Sequence, residues 1–287
     1  MENLMIERIE IFVTGLPVRV QRIFSSGSYD TGPAERLLSK PVLVKIYAQG
    51  VVGCAQIRPI SPGHFVADTT HGVVAAIKEI YGPGLIGKSI FDIESINEMF
   101  DARLANNPAA RAVLDIAVRD AVGKALNQPL YNLIGGCCQP RIPLEWSVSM
   151  ADEALFTIQD AYALAEARAV DAYCIKLYKI GGITPAKKIA GIAEAANIQL
   201  NCGGLAVQSQ LEAAAGAHFY ASTPASQMMG AAEFVFGLNA TAKDPICPES
   251  DFVVRDGHVD VPRGPGLGIN IDEAALKKHT LLFERVG

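Results

Sequence analysis

A strand that ends in a lysine and a glycine pair, followed by a helix and a second strand, constrains this chain more than any other stretch. Tyr173-Cys174-Ile175-Lys176-Leu177-Tyr178 is rich in apolar and β-branched residues and runs into Lys179-Ile180-Gly181-Gly182. Thr184-Pro185 then reads as an N-cap followed by proline at the first helical position. Ile189, Ile192, Ala193 and Ala196 recur at helical spacing, and Ile198 to Gly204 reads as the next short strand with its glycine loop. Strand, helix and strand in this order predict a parallel βαβ unit. Met150-Ala151-Asp152-Glu153 ends an earlier β-like run, and an alanine-rich helix pattern from Ile158 to Ala169 extends the alternation.

Period-two alternation places Cys174, Lys176 and Tyr178 on one face of the lysine strand and Ile175 and Leu177 on the other. The two bulky residues suit the layer between strand and outer helix, so Lys176 faces the interior. Desolvation disfavours the charged form of a lysine, which suits a base. Taken alone, a strand lysine is more often a solvated or paired residue, so its context decides. Lys179 falls on the opposite face or in the loop and reads as structural or secondary.

The first half has a different rhythm. Ile6 to Val13 is a strand, and Val42 to Ala48 pairs with Val51 to Ile57 across Gln49-Gly50. Helical patterns follow at Thr70 to Glu79, Ile93 to Ala105 and, with Asn107-Pro108 as cap, Ala109 to Leu126. That is an α+β domain. Its loops Gln21 to Asp30, with Ser26 and Tyr29, and Arg58 to Thr70, with His64, read on their own residues as a flexible turn and a surface histidine.

With 287 residues, 50% hydrophobic and 19% charged, the chain buries a sizeable core and is not basic enough for nucleic acid. No apolar run reaches membrane-spanning length, and Glu2, Glu7 and Glu10 break any leader pattern, so a cytoplasmic protein is expected. The six cysteines include no Cys-x-x-Cys and read as reduced, with zinc not expected.

Four separated blocks resemble the enolase superfamily, in its mandelate racemase and muconate lactonizing enzyme branch. They are Asp115 to Lys124 continuing through Gln128-Pro129-Leu130 to Gly135-Gly136; Ala151-Asp152-Glu153; Lys176 to Gly182; and Asp256-Gly257-His258-Val259 with Val261-Pro262 and Gly264 to Gly268. The resemblance implies an α+β capping domain over residues 1–138, an α/β barrel of TIM type over 139–270 and a tail, 271–287, packing back on the cap. It implies a racemase, epimerase, cycloisomerase or dehydratase in which Mg²⁺ assists proton abstraction next to a carboxylate. Lys176 would be the base, Asp152 a metal ligand with Glu153 as its neighbour, and Gln208 would stand about where muconate-type enzymes carry a glutamate. The cap loops with Ser26, Tyr29 and His64 would face a small carboxylate substrate.

The same comparison exposes an absence. A complete barrel takes roughly 200 residues or more, whereas about 130 remain between the Arg141 to Ser149 strand and the closing segment. The Lys-x-Lys pair of the second strand, the Asp-x-Asn of the third and the Glu of the fourth are missing, and the first strand runs straight into the fifth within Ser149 to Glu153. The expectations are therefore a partial barrel of about four strands, Mg²⁺ held weakly or not at all, and impaired activity. The alternatives are a non-catalytic half-barrel binding or scaffold protein and a deletion product without function. Open barrel edges, with Ile175 and Leu177 bared, would drive homo-oligomerisation.

Overall fold

The computed structural model describes residues 3–17, 21–24, 27–30, 38–58, 68–145, 154–204, 209–233, 238, 244–248 and 250–287. Its first part holds β1 (Ile6–Thr14), β2 (Val42–Ala48) and β3 (Val51–Ile57). The turn between β2 and β3 needs positive φ at both central residues, and Gln49 and Gly50 supply φ values of 46° and 89°. Helix α1 (Thr70–Ala75) runs into a π-helical stretch, Ala76–Tyr81, and is followed by α2 (Ile93–Arg103) and α3 (Pro108–Ala125). Alanine and valine on α3 let it lie close on the sheet. At Gly53 of β3 an added Cβ would sit 2.1 Å from the carbonyl oxygen of Ala117, so glycine sets that approach.

The second part holds β4 (Arg141–Pro143), α4 (Ile158–Glu166), β5 (Ala172–Ile175), α5 (Ile183–Ala196), β6 (Gln199–Cys202) and α6 (Gln210–Ala221). After these come β7 (His258–Asp260), α7 (Glu273–His279) and β8 (Thr280–Val286). Helix α4 opens on a capping box in which Thr157 and Asp160 satisfy each other's backbone N–H groups.

The largest sheet is antiparallel in the order β8-β1-β2-β3, so the last strand of the sequence completes the first part. β5 and β6 pair in parallel, as the βαβ pattern predicts. The ladder continues beyond them: Met229 N donates to Leu200 O at 2.7 Å and Glu233 N to Cys202 O at 2.9 Å. Ala232 N donates to Pro143 O at 2.8 Å, and Glu145 N to Ala232 O at 3.0 Å. Among the described residues, then, four parallel segments lie side by side: β5, β6, 228–233 and 143–145. Tyr173, Ile175, Leu200 and Cys202 point to their helix side and are buried there, each large apolar side chain contributing roughly 1.5–3 kcal/mol.

Three expectations are corrected here. The lysine strand stops at Ile175, and Leu177–Ile180 closes a helical turn, so Tyr178 does not share a strand face with Cys174 and Lys176. The glycines cause this: Gly181 (φ 91°) and Gly182 (φ 112°) leave through the left-handed region while both their N–H groups donate to Leu177 O. Thr184 is not the N-cap of α5, which is Gly182; the first N–H groups of that helix are taken by Asp115 of α3. Ile175 and Leu177 are not bared but 0% and 5% exposed.

Candidate functional site

The candidate site is the end toward which the parallel segments run, where the loops after such strands carry chemistry in a βα-barrel. Lys176 is the first residue past β5, with extended backbone (φ −120°, ψ 108°), and is half-buried. Cys174 and Lys176 share a face: a Cβ added at Gly203, just past β6, would lie 2.7 Å from Cys174 Sγ and 3.0 Å from Lys176 Cε. The glycine therefore makes the room in which the lysine stem lies.

One layer below, Asn201 of β6 ties three segments together. Its Oδ1 accepts from Cys174 Sγ at 3.9 Å, and its Nδ2 donates to Glu145 Oε1 at 3.1 Å and to the carbonyl of Ala231 at 3.1 Å. Glu145 is the last described residue of the segment that begins with β4, and Glu233, the last described residue of the segment that begins at Met228, is buried. Alternation along Ile142-Pro143-Leu144-Glu145 could have placed Glu145 inward, opposite buried Ile142. Asn201 and Glu233 carried no such signal, since their partners lie on other segments.

Lys179 lies buried in the helical turn, its Nζ 4.6 Å from the centre of the Phe156 ring. Asp152, Glu153, Gln208, Ser26 and His64 lie outside the described residues. Tyr29 is placed by its backbone alone, paired with Arg22 in the hairpin Gln21–Phe24 to Gly27–Asp30. Among the described residues no group of three His, Cys, Asp or Glu side chains could hold a metal ion, and no helix is long and apolar enough to cross a membrane. Glu145, with one oxygen committed to Asn201, and buried Glu233 do not by themselves fit Mg²⁺, which demands near-octahedral oxygen ligation.

Other buried ionisable groups hold the frame. Asp115 of α3 accepts from Ile183 N at 2.8 Å, Thr184 N at 3.1 Å, Asn97 Nδ2 at 3.1 Å and the Thr184 hydroxyl, which also accepts from Arg119 Nη2 at 2.6 Å. Asp120, also on α3, accepts from Cys54 N and Leu267 N, both at 2.7 Å, and pairs with Lys124. The block resembling a linking helix is thus a clamp, gripping α5 with one carboxylate and β3 and the closing segment with the other. His218 of α6 accepts from Tyr131 N through Nδ1 at 3.2 Å, which leaves Nε2–H to donate to Leu267 O at 3.2 Å. Burial holds its pKa down to about 4, so the imidazole is neutral. Burial pushes the carboxyl of Glu212, at the start of α6, up to about 8.

Residues 35–135 match the family model for the mandelate racemase / muconate lactonizing enzyme N-terminal domain, and residues 147–275 match the enolase C-terminal domain-like model. Chloromuconate cycloisomerase of Cupriavidus necator is 22% identical over 346 aligned positions that take in 83% of this chain and 91% of that protein. N-succinyl-L-Arg/Lys racemase of Bacillus cereus is 32% identical over 164 residues, 55% of this chain and 42% of the racemase. The solved structure of N-succinyl Arg/Lys racemase from Bacillus cereus superposes with a TM-score of 0.84 at 22% identity, covering 99% of this chain and 100% of that one. Muconate lactonizing enzyme from Pseudomonas putida gives 0.84 at 19%, covering 96% and 99%. At these identities the superpositions establish the fold alone.

Proposed function

Because this chain belongs to the mandelate racemase and muconate lactonizing enzyme branch of the enolase superfamily, we propose that it binds a small carboxylate at the mouth of its parallel segments, with Lys176 as the group set to take the proton beside that carboxylate. The observation that carries this reading is the placement of Lys176 past the end of β5, on the face it shares with Cys174 and over Gly203. The names of its relatives, a cycloisomerase, a racemase and a dehydratase, support the reaction class.

Family enzymes are in general Mg²⁺-dependent. Asp152, with Glu153 beside it, is the proposed metal ligand, and one such carboxylate is a poor octahedral site, so binding is weak. When bound, Mg²⁺ would stabilise negative charge developing on the substrate carboxylate. Lys179 and Gln208 are proposed as secondary residues, and Ser26, Tyr29 and His64 as the cap side of the substrate pocket. We read the barrel as shortened, a reading supported by 346 aligned positions that take in only 83% of a 287-residue chain. Proton abstraction without a full ligand set lacks the electrostatic stabilisation that is usually the largest catalytic contribution, so turnover is impaired. Self-association is proposed too, supported by the edge position of β8 and by Leu281 and Phe283 exposed on it.

A second reading, a non-catalytic half-barrel that binds the same ligand, is favoured by the commitment of Glu145 to Asn201 rather than to an open site. The test incubates the protein in D₂O with acyl-amino acids, hydroxy acids and muconate, with and without Mg²⁺, beside Lys176→Ala. The expected result is a ligand-induced rise in melting temperature that Lys176→Ala abolishes, without Mg²⁺-dependent deuterium uptake. Uptake that requires both Mg²⁺ and Lys176 would overturn the impaired reading. No shift with any acid would overturn the carboxylate reading itself.

A further inference from the structure

Cys137 and Cys138 are adjacent in the chain, both exposed and both free, in the connection between the 3-10 turn Leu130–Leu133 and β4. The remaining cysteines are buried or half-buried and stand singly in the sequence. The backbone around the pair is held: Cys138 N and Gln139 N both donate to Ala221 O, at 2.7 and 3.1 Å, and Gly136 N donates to Tyr131 O at 2.9 Å. The approach to it is cationic. Lys187 Nζ donates to Ser222 O at 2.9 Å, is within Coulombic reach of Cys138, and lies 3.7 Å from where a Cβ on Gly135 would be.

Neighbouring residues joined by a trans peptide have Cα atoms about 3.8 Å apart, less than the roughly 4.4–6.8 Å a relaxed disulfide spans. The two sulfurs are therefore poorly placed to bond to each other. A single large thiophilic atom placed between them bonds to both without that constraint. We propose that Cys137-Cys138 is a dithiol site for a thiophilic metalloid or soft metal ion, with trivalent arsenic as the ligand whose two-sulfur chemistry fits it.

With an aryl arsenoxide the step is a condensation: the two S–H bonds break, two As–S bonds form, and the arsenoxide oxygen leaves as one water carrying both protons. Arsenic stays trivalent, so no oxidant or reductant is consumed. The second As–S bond closes within the molecule, and the effective concentration of the neighbouring thiol should tighten binding about 100-fold over a single thiol.

Phenylarsine oxide added to the intact protein, followed by native mass spectrometry, tests this. One equivalent is expected to add with loss of one water, to resist a monothiol such as mercaptoethanol and to be stripped by the dithiol dimercaptopropanol. Cys137→Ser and Cys138→Ser, both exposed positions, should each weaken binding about 100-fold, while Cys174→Ser should leave it unchanged. An adduct that survives in either of the first two variants, or that a monothiol removes as readily as a dithiol, would overturn the assignment.

Discussion

Glu212 and His218 lie between one and two turns apart on α6, and near neutral pH each is buried in the form that carries no charge. For Glu212 the unfolded carboxyl titrates near 4.5 and the folded one near 8. Between those values the folded chain holds a proton that the unfolded chain has released, so stability is full below about pH 4.5 and declines as pH rises through 8. The whole decline is on the order of 5 kcal/mol. Glu212→Gln keeps the shape without the ionisation. Its melting temperature is expected to match the parent at pH 4.5 and exceed it at pH 8, and equal values at both would show that Glu212 is charged in the fold. The histidine works in the opposite direction, losing stability as pH falls from 6.5 toward 4, because only the unfolded state takes up its proton. At this scale the sequence could be read only where neighbours in the chain decide. Alternation rightly put Lys176 on the face of Cys174, whereas the uncharged state of Glu212 depends on packing around α6 that no local pattern encodes.

Among the elements, α3 sets the geometry of the others. Its carboxylate Asp115 replaces the cap that Thr184 was expected to give, and Gly182 makes this possible, since a Cβ there would lie 2.7 Å from Asp115 Oδ2. The strand, the helix and their parallel pairing were legible because periodicity and glycine punctuation are local. The cap was not, because its carboxylate sits on a distant helix. Removing one partner of a buried charged network costs roughly 3–5 kcal/mol. Asp115→Ala should therefore lower the urea midpoint by an amount corresponding to about 3–5 kcal/mol, and Thr184→Val by much less, because Ile183 N and Thr184 N keep their acceptor. Equal losses in the two variants would mean that the hydroxyl, not the backbone capping, holds the joint.

At the scale of the whole molecule, β8 lies at the rim of the main sheet with Leu281 56% and Phe283 49% exposed, and edge strands bearing apolar residues pair with other copies. Lysine at both positions is expected to shift the sedimentation profile to a smaller species, and an unchanged profile would place any self-association elsewhere. The pairing of β8 with β1 also bears on how the chain is made. A ribosome releases β1, β2 and β3 well before β8. Until β8 emerges, one edge of β1 has no strand beside it, although β2 and β3 are already available on the other. Until β8 has emerged the main sheet can be only three strands wide, so its completion waits on a strand that follows the whole of the second part. A stalled or prematurely stopped nascent chain would show that bare edge to whatever chaperone waits at the tunnel exit.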